Sequence, residues 1–342
     1  MYLLWNAIRV DSINKSFYKM ISFIVIGKNE GKTIKLCIDS VKNAIAHNKY
    51  SDAEIIYVDS KSTDNSISIA KQYKDVKIFE ITGTCNAAIA RNIGAIESKG
   101  NILCFLDADM ELQKDFLPIV IKNNKLIYPF ISGQLQNIFY NNYKEWKQID
   151  SNYLHRGLNN DTYNVTTGGY FIINRDLWFS VKGMNTKYRR SQDLDLGLRL
   201  AKKGTKLLRK KELMVKHNTI DYKNSQRMWK MLFDGSLLFQ TSVLYRDHVF
   251  NKYIYKKIIR KDYSLLFLII SILFMFVYIY SIFIYLLIII IRNILRKNVK
   301  GNSSFLSRLL MILLTDINSL IGIFVFFPKK HKLFYKQILN EK

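Results

Sequence analysis

The chain has 342 residues, 49% apolar and 23% charged, which is enough for about two domains with a substantial core. That composition excludes collagen-like and wholly disordered classes. Lys and Arg number 52 against 27 Asp and Glu, a net charge of +25, so the partners to consider are anionic: nucleic acid, phospholipid or a phosphorylated small molecule.

Residues 1–20 read as an N-terminal extension. They lack the continuous apolar core and small-residue cleavage site of a secretory signal, so the domain that follows is expected to face the cytoplasm. Cys37, Cys85 and Cys104 show no pairing or ligand spacing, which suits buried thiols better than a disulfide framework.

From residue 21 short β-rich runs alternate with helical stretches. Strands are predicted at 21–26 (ISFIVI), 54–58 (EIIYV), 76–79 (VKIF) and 101–106 (NILCFL), with helices at 33–47, 63–73 and 86–98. This order predicts an α/β fold with a mostly parallel sheet, flanking helices and ligands collected at the strands' carboxyl ends. Polar clusters stand at three of those ends: residues 27–30 (GKNE), 59–64 (DSKSTD) and 107–109 (DAD).

The DSKSTD cluster also reads as a turn and helix cap. Asp107 and Asp109 leave a buried strand on the same side. Such a pair can share a hard divalent cation whose other positions go to water and phosphate oxygens; a solvated strand-end turn has the same spacing. A GxGxxG after a strand, a GxxxxGK[ST] loop and an HExxH are all missing, so neither a dinucleotide fingerprint nor a P-loop explains a phosphate site. The basic residues are dispersed rather than set on a reader element, so nucleic acid is not an expected partner.

Taken in order, these motifs resemble the family 2 inverting glycosyltransferases of the GT-A fold over residues 21–229. The resemblance rests on 22–30 (SFIVIGKNE), 36–41 (LCIDSV), 58–66 (VDSKSTDNS), 90–94 (ARNIG) and 105–109 (FLDAD). Downstream it continues with 167–175 (TGGYFIINR), 183–185 (GMN), 192–199 (QDLDLGLR) and Gly204.

The resemblance implies that Glu30 and Asp59 border the nucleotide, that Asp107 lies near ribose and metal, and that Asp109 binds Mg²⁺ or Mn²⁺. It further implies that Arg91 contacts the donor diphosphate, that His217 lies near the metal, and that Asp193 is the general base. Gln192 stands where the family has an acid, and Asp195 is the alternative base. Structural capping accounts for either aspartate equally well, and a lone histidine such as His217 is often merely structural. Gly168 and Gly169 suit a close approach to a sugar or a tight turn, while Trp146 and Tyr153 suit an acceptor surface or core packing. Residues 225–229 (SQRMW) do not reproduce the QxxRW of processive synthases, so addition of one sugar or a few is expected rather than extrusion of a polymer.

Residues 264–291 run 28 positions without a charge, long enough for a transmembrane helix. A second run, 305–327, holds Arg308, Asp316 and Asn318 and reads as a second transmembrane helix or an interfacial one. Residues 251–342 carry 15 Lys and Arg against Asp262, Asp316 and Glu341, about half of the net charge. A hairpin of the two runs leaves the basic loop 292–300 on the wrong side by the positive-inside rule.

The expected organisation is therefore an extension at 1–20, a GT-A domain at 21–250, a basic juxtamembrane segment at 251–263, the two runs, and a basic tail at 328–342. The expected function is non-processive, inverting transfer from a nucleotide-diphosphate sugar donor to a hydroxyl acceptor, a lipid-linked or cell-envelope glycan, by a membrane-anchored enzyme. Two readings compete: a glycosyltransferase acting on polyprenyl phosphate, and a membrane-anchored sugar-nucleotide-binding protein without turnover.

Overall fold

The computed structural model describes residues 20–339 apart from 143, 155–158, 167, 221–228, 230, 232, 234–238 and 296–303. The extension at 1–19, Thr167 and all of the 225–229 stretch but Trp229 thus lie outside the described residues.

The chain begins as alternating strands and helices: β1 (Ile21–Gly27), α1 (Ile34–His47), β2 (Ala53–Asp59), α2 (Ser66–Ala70), β3 (Val76–Ile81), α3 (Ala87–Glu97) and β4 (Ile102–Asp107). These strands are continuous apolar runs because both faces are covered. Phe23 and Val25 of β1 pack with Ile34, Cys37 and Val41 of α1, while Ile24 and Ile26 pack with Ala90 and Ile93 of α3. β1 pairs in parallel with β2 and with β4, and β2 with β3. The strand order therefore reverses between β1 and β4, where ligands of open α/β sheets bind.

The second half widens the sheet. It comprises β5 (Met110–Leu112), α4 (Leu117–Val120), a hairpin of β6 (Ile121–Lys122) and β7 (Lys125–Leu126), β8 (Phe130–Tyr140), β9 (Gln148–Tyr153) and β10 (Thr162–Asn164). β11 (Phe171–Asn174), α5 (Arg175–Ser180), α6 (Gln192–Lys202) and β12 (Leu207–Ile220) follow. β11 runs antiparallel to β4 and β8, and β12 runs parallel to β8. One eleven-stranded mixed sheet results, ordered β10-β12-β8-β11-β4-β1-β2-β3-β13, with β5 on β12 and β9 on β8. The predicted α/β architecture, a parallel core with helices on both faces, is the one observed.

The C-terminal part comprises α7 (Gln240–Asp247), α8 (Lys252–Lys261), α9 (Tyr263–Phe274), α10 (Ile282–Leu295), α11 (Phe305–Val325) and β13 (Tyr335–Ile338). Two of its segments differ from the sequence expectation. The run at 264–291 is not one helix: it breaks after Phe274 and reverses through a 3-10 turn at Ile279–Ser281. The Ser281 hydroxyl donates to the Ser271 carbonyl at 2.7 Å. The reversal lays Arg292 against the Ser264 hydroxyl and the Lys261 carbonyl, partners that a straight helix would hold about 42 Å away at 1.5 Å per residue. The segment at 328–342 is also more than a tail, because β13 pairs antiparallel with β3, Tyr335 opposite Ile81 and Ile338 opposite Ile78. Among the described residues, α11 is the one helix long and apolar enough to cross a membrane.

Candidate active site

The loops after β1 and β2 are knitted into one wall. Asn29 and Lys61 hold left-handed backbone, φ 60° each, an uncommon state that surrounding contacts must support. Those contacts are present: the Asn29 amide donates to the Ser62 hydroxyl at 2.8 Å, the Thr63 amide to Asn29 Oδ1 at 2.8 Å, and the Gly31 amide to Asp64 Oδ2 at 2.9 Å.

Asp59 is fully buried. It accepts from the Tyr57 hydroxyl at 2.7 Å and from the Ser62 hydroxyl and amide at 2.6 and 2.7 Å. In this arrangement it organises the turn expected of DSKSTD; the expected helix cap is not formed by that cluster, since the α2 N-cap is Asn65, whose side chain makes no capping bond. Glu30 is the half-buried carboxyl of this wall. Burial first, then the charges of Asp109, Asp107 and Asp64, push Glu30 up to about 8 against the Thr33 hydroxyl, which lowers it.

At the end of β4 the two aspartates diverge in role. Asp107 pairs with Arg91 of α3, Nη2 to Oδ1 at 2.5 Å, and the same Nη2 donates to the Gly169 carbonyl at 3.2 Å. Gly169 is required by that approach, since a Cβ there would stand 2.0 Å from Asp107 Oδ2. Burial pushes the Asp107 carboxyl up to about 6, Arg91 pulling it down and Asp109 and Asp193 among the charges raising it.

Asp109 meets His217 of β12, Oδ2 to Nε2 at 3.1 Å. The sheet brings them together, because β12 pairs with β5 with His217 opposite Met110, and the Asn218 amide donates to the Asp109 carbonyl at 2.8 Å. The other ring nitrogen, Nδ1, lies 2.8 Å from Asn137 Oδ1. Asn137 Nδ2 donates to Asn152 Oδ1 at 3.0 Å, so its oxygen is the group facing His217. Nδ1 therefore carries hydrogen and Nε2 faces Asp109 either protonated or as a free lone pair. Burial lowers the His217 pKa, but its bond to Asp109 and the charges of Asp109, Asp107 and Glu30 outweigh this and raise it above 6.5.

Asp193 enters from the first turn of α6. Its Oδ2 accepts from the Gly168 amide at 3.3 Å, so Gly168 and Gly169 link it to the Arg91–Asp107 pair. Gly168 and Ser191 are left-handed, φ 74° and 62°. Gln192 turns away, donating to the Arg189 carbonyl at 2.9 Å. Asp195 is buried behind the helix, where Arg199 donates to it at 2.7 and 2.9 Å and His248 Nε2 lies 2.9 Å away. It points away from the cleft, as its two-residue offset along the helix requires.

The structure thus brings Glu30, Arg91, Asp107, Asp109, Asp193 and His217 to the sheet's reversal point, while Asp59 supports the wall beneath. Sequence reasoning missed Asn137, whose position inside the β8 run QLQNIFY gives no local signal. Trp146, suggested as part of an acceptor surface, stacks on Tyr140 with centroids 4.2 Å apart, and Tyr153 is exposed on β9.

Asp109 Oδ1 is buried without a hydrogen-bond partner among the described atoms, an expensive condition for a carboxylate. A cation would satisfy it, with His217 Nε2 alongside. No described cluster of three or more His, Cys, Asp and Glu side chains forms a complete metal cage. The unpartnered Asp109 Oδ1 and His217 Nε2 would suit an ion that takes the rest of its coordination from water and phosphate, as Mg²⁺ commonly does.

The family model Glycosyl transferase family 2 matches residues 22–180, the segment carrying β1 to β11 and every site residue above except Asp193 and His217. The chain is similar to glycosyltransferase GlyG of Streptococcus pneumoniae, 26% identical over 141 residues, 40% of this chain and 42% of that protein. It is also similar to the poly(ribitol-phosphate) beta-N-acetylglucosaminyltransferase TarP of Staphylococcus aureus, 34% identical over 95 residues, 27% of this chain and 28% of that one. The chain thus covers less than half the length of these relatives. A solved structure of GalNAc-T7 with UDP, GalNAc and Mn²⁺ aligns with TM-score 0.48 at 18% identity, covering 58% of this chain and 43% of that one.

Proposed function

We propose that the protein is a metal-dependent, inverting, non-processive glycosyltransferase of GT-A type, acting at a membrane with its catalytic domain on the cytoplasmic side. The observation that carries this is the meeting of the Asp107–Arg91 and Asp109–His217 pairs at the strand-order reversal, with Asp193 facing them across Gly168 and Gly169. The match of residues 22–180 to a glycosyltransferase family supports it.

In this reading the donor is a nucleotide-diphosphate sugar. Glu30, with Asp59 beneath it, borders the base and ribose, and Arg91 gives the diphosphate a charge-assisted hydrogen bond. Asp109 and His217 would hold Mg²⁺ or Mn²⁺, and the ion would supply Lewis-acid stabilisation of the diphosphate leaving group. Asp193 takes the proton of the acceptor hydroxyl as its oxygen bonds to the anomeric carbon from the face opposite the diphosphate. The bond from that carbon to the diphosphate oxygen breaks, its electron pair leaves with the nucleoside diphosphate, and the configuration inverts.

The acceptor is proposed to be a cell-envelope glycan or a lipid-linked one. A relative named for a poly(ribitol-phosphate) substrate supports the first, and the apolar C-terminal helices support the second. The test is transfer from a panel of nucleotide sugars with the anomeric configuration of the product read by NMR; retention of configuration sinks the inverting reading. A polyprenyl phosphate acceptor is favoured by the exposed Lys256, Arg260 and Lys261 beside those helices. Because a phosphate needs little general base, that reading predicts near-normal turnover for Asp193→Asn.

A further inference from the structure

We propose that α9 and α10 enter the bilayer as a hairpin that turns round within one leaflet, and that neither this hairpin nor α11 crosses the membrane. The proposal deepens the membrane reading above and rests on it. Its occupant is a leaflet of anionic phospholipid.

Three observations lead there. The first is the hairpin itself. α9 has 12 residues and α10 has 14, rises of about 18 and 21 Å, each short of the roughly 30 Å hydrocarbon core but sufficient for one leaflet. They are antiparallel, with Ser281 on Ser271 near the tip and Arg292 on Ser264 at the base. The nine consecutive residues from Ile272 to Tyr280 are all exposed and all apolar or aromatic, with Phe276 at 89% and Val277 at 85%. Such a tip facing water is a large apolar patch in need of cover.

The second is the polar layer at the base. Arg292 lies 3.9 Å from Asp316 and 4.0 Å from Asp262, and the Tyr285 hydroxyl donates to Asp316 at 3.3 Å. Exposed Lys256, Arg260 and Lys261 stand just before α9, and cations at that level complement anionic headgroups. Because both hairpin ends lie on one side, the cations before α9 and Arg292 share that side. The conflict with the positive-inside rule, raised by treating 264–291 as one spanning helix, disappears.

The third is the fate of α11. Its start is held at the hairpin base, where Asn293 Nδ2 donates to the Phe305 carbonyl at 2.8 Å and Arg308 Nε to Asn293 Oδ1 at 3.0 Å. Its end is held on α7, where Arg246 donates to the Ile323 and Phe326 carbonyls at 2.9 and 2.8 Å. Gly322 lies against Phe239 and Ser242, and a Cβ there would stand 2.4 Å from the Ser242 hydroxyl. Beyond it, Thr186 donates to the His331 carbonyl at 2.9 Å, and β13 joins the sheet that also holds β1. Strands of one sheet lie on one side of a membrane, so an even number of crossings separates residue 262 from 335. With a turned hairpin contributing none, α11 contributes none and lies along the interface.

The test uses full-length protein in sealed vesicles, cytoplasmic face outward, with Cys37, Cys85 and Cys104 replaced by Ala and single cysteines introduced by Lys256→Cys, Val277→Cys, Leu295→Cys and Lys329→Cys. A membrane-impermeant maleimide is applied before and after detergent. The expected result is that positions 256, 295 and 329 label before detergent and 277 only afterwards. If 295 labels only after the vesicles are opened while 256 labels before, 264–291 spans and the proposal fails with the membrane reading intact. If 277 labels as fast as 256 and the protein washes off the vesicles in carbonate, the membrane reading itself fails. The same impermeant maleimide enclosed in the vesicle lumen is expected to leave 277 unlabelled; labelling of 277 by the enclosed reagent means that the hairpin tip traverses both leaflets, which also overturns the proposal.

Discussion

Asp109 and His217 sit 108 residues apart in the chain and 3.1 Å apart in space, and Asn137 decides which imidazole nitrogen meets the carboxylate. In the proposed site His217 is a metal ligand, and a group standing behind such a ligand tunes affinity by about 10–100-fold. Asn137→Ala is therefore expected to weaken Mn²⁺ binding by about that factor, with His217→Ala weakening it further, as measured by calorimetric titration of the purified chain.

Asp193 touches the rest of the protein chiefly through a long bond to the Gly168 amide, which Asn can also accept. Asp193→Asn is expected to keep its thermal midpoint and donor affinity while kcat toward a hydroxyl acceptor falls roughly 10²- to 10⁴-fold, the range for loss of a general base. Steady-state kinetics with donor binding measured separately decides this.

Gly169→Ala forces a methyl into the Asp107 carboxylate and so separates Arg91 from it. Turnover is expected to drop about 10–100-fold or more, since small misplacements at a reacting centre are costly. Gly204→Ala, at a left-handed turn with nothing near its Cβ, serves as the comparison: strained but remote, it is expected to cost stability and spare kcat.

Glu30 supplies a pH signature. Its carboxyl titrates near 8 instead of 4.5, so between those values the folded chain binds a proton that the unfolded chain does not. The stabilising proton is fully present below about 4.5, and stability is lost as pH rises toward 8. Glu30→Gln removes this dependence. Urea unfolding in EDTA is expected to show the variant more stable than wild type at pH 8.5, by up to a few kcal/mol at about 1.4 kcal/mol per pKa unit. Near pH 5 the gap is expected to shrink below about 1 kcal/mol.

The first half of the fold was legible because its strands are buried on both faces and read as unbroken apolar runs. The predicted strand at 101–106 is observed at Ile102–Asp107 and the helix at 33–47 at Ile34–His47. The helix predicted at 63–73 shrinks to Ser66–Ala70, because Asp59 and Asp64 tie residues 59–66 into a turn. The spacing of Asp107 and Asp109 allowed a shared cation but suited a solvated strand-end turn as well; their separate roles, like those of Arg91, Asp193 and His217, came only through the family resemblance. Asn137 was not readable, because only the register of β8 on β12, Asn137 opposite His217, gives it meaning. The reversal at residues 275–281 was hidden in a run without Gly, Pro or charge. What fixes it is long-range: Arg292 seeking Ser264, and Ser281 seeking Ser271. The return of residues 335–338 to the sheet had a faint signal in the β-rich FYKQIL at 334–339, overshadowed by the Lys cluster before it.

The central claim is that the Asp109 carboxylate, with His217, makes the site a sugar-transfer centre. The most direct measurement is release of nucleoside diphosphate from a panel of nucleotide sugars, with and without Mn²⁺ and EDTA, for wild type and Asp109→Ala. The account predicts Mn²⁺-dependent release by the wild type and loss of at least about 100-fold in the variant, comparable to removing a principal transition-state stabiliser. Release that is unaffected by Asp109→Ala, or no release from any donor, would contradict it.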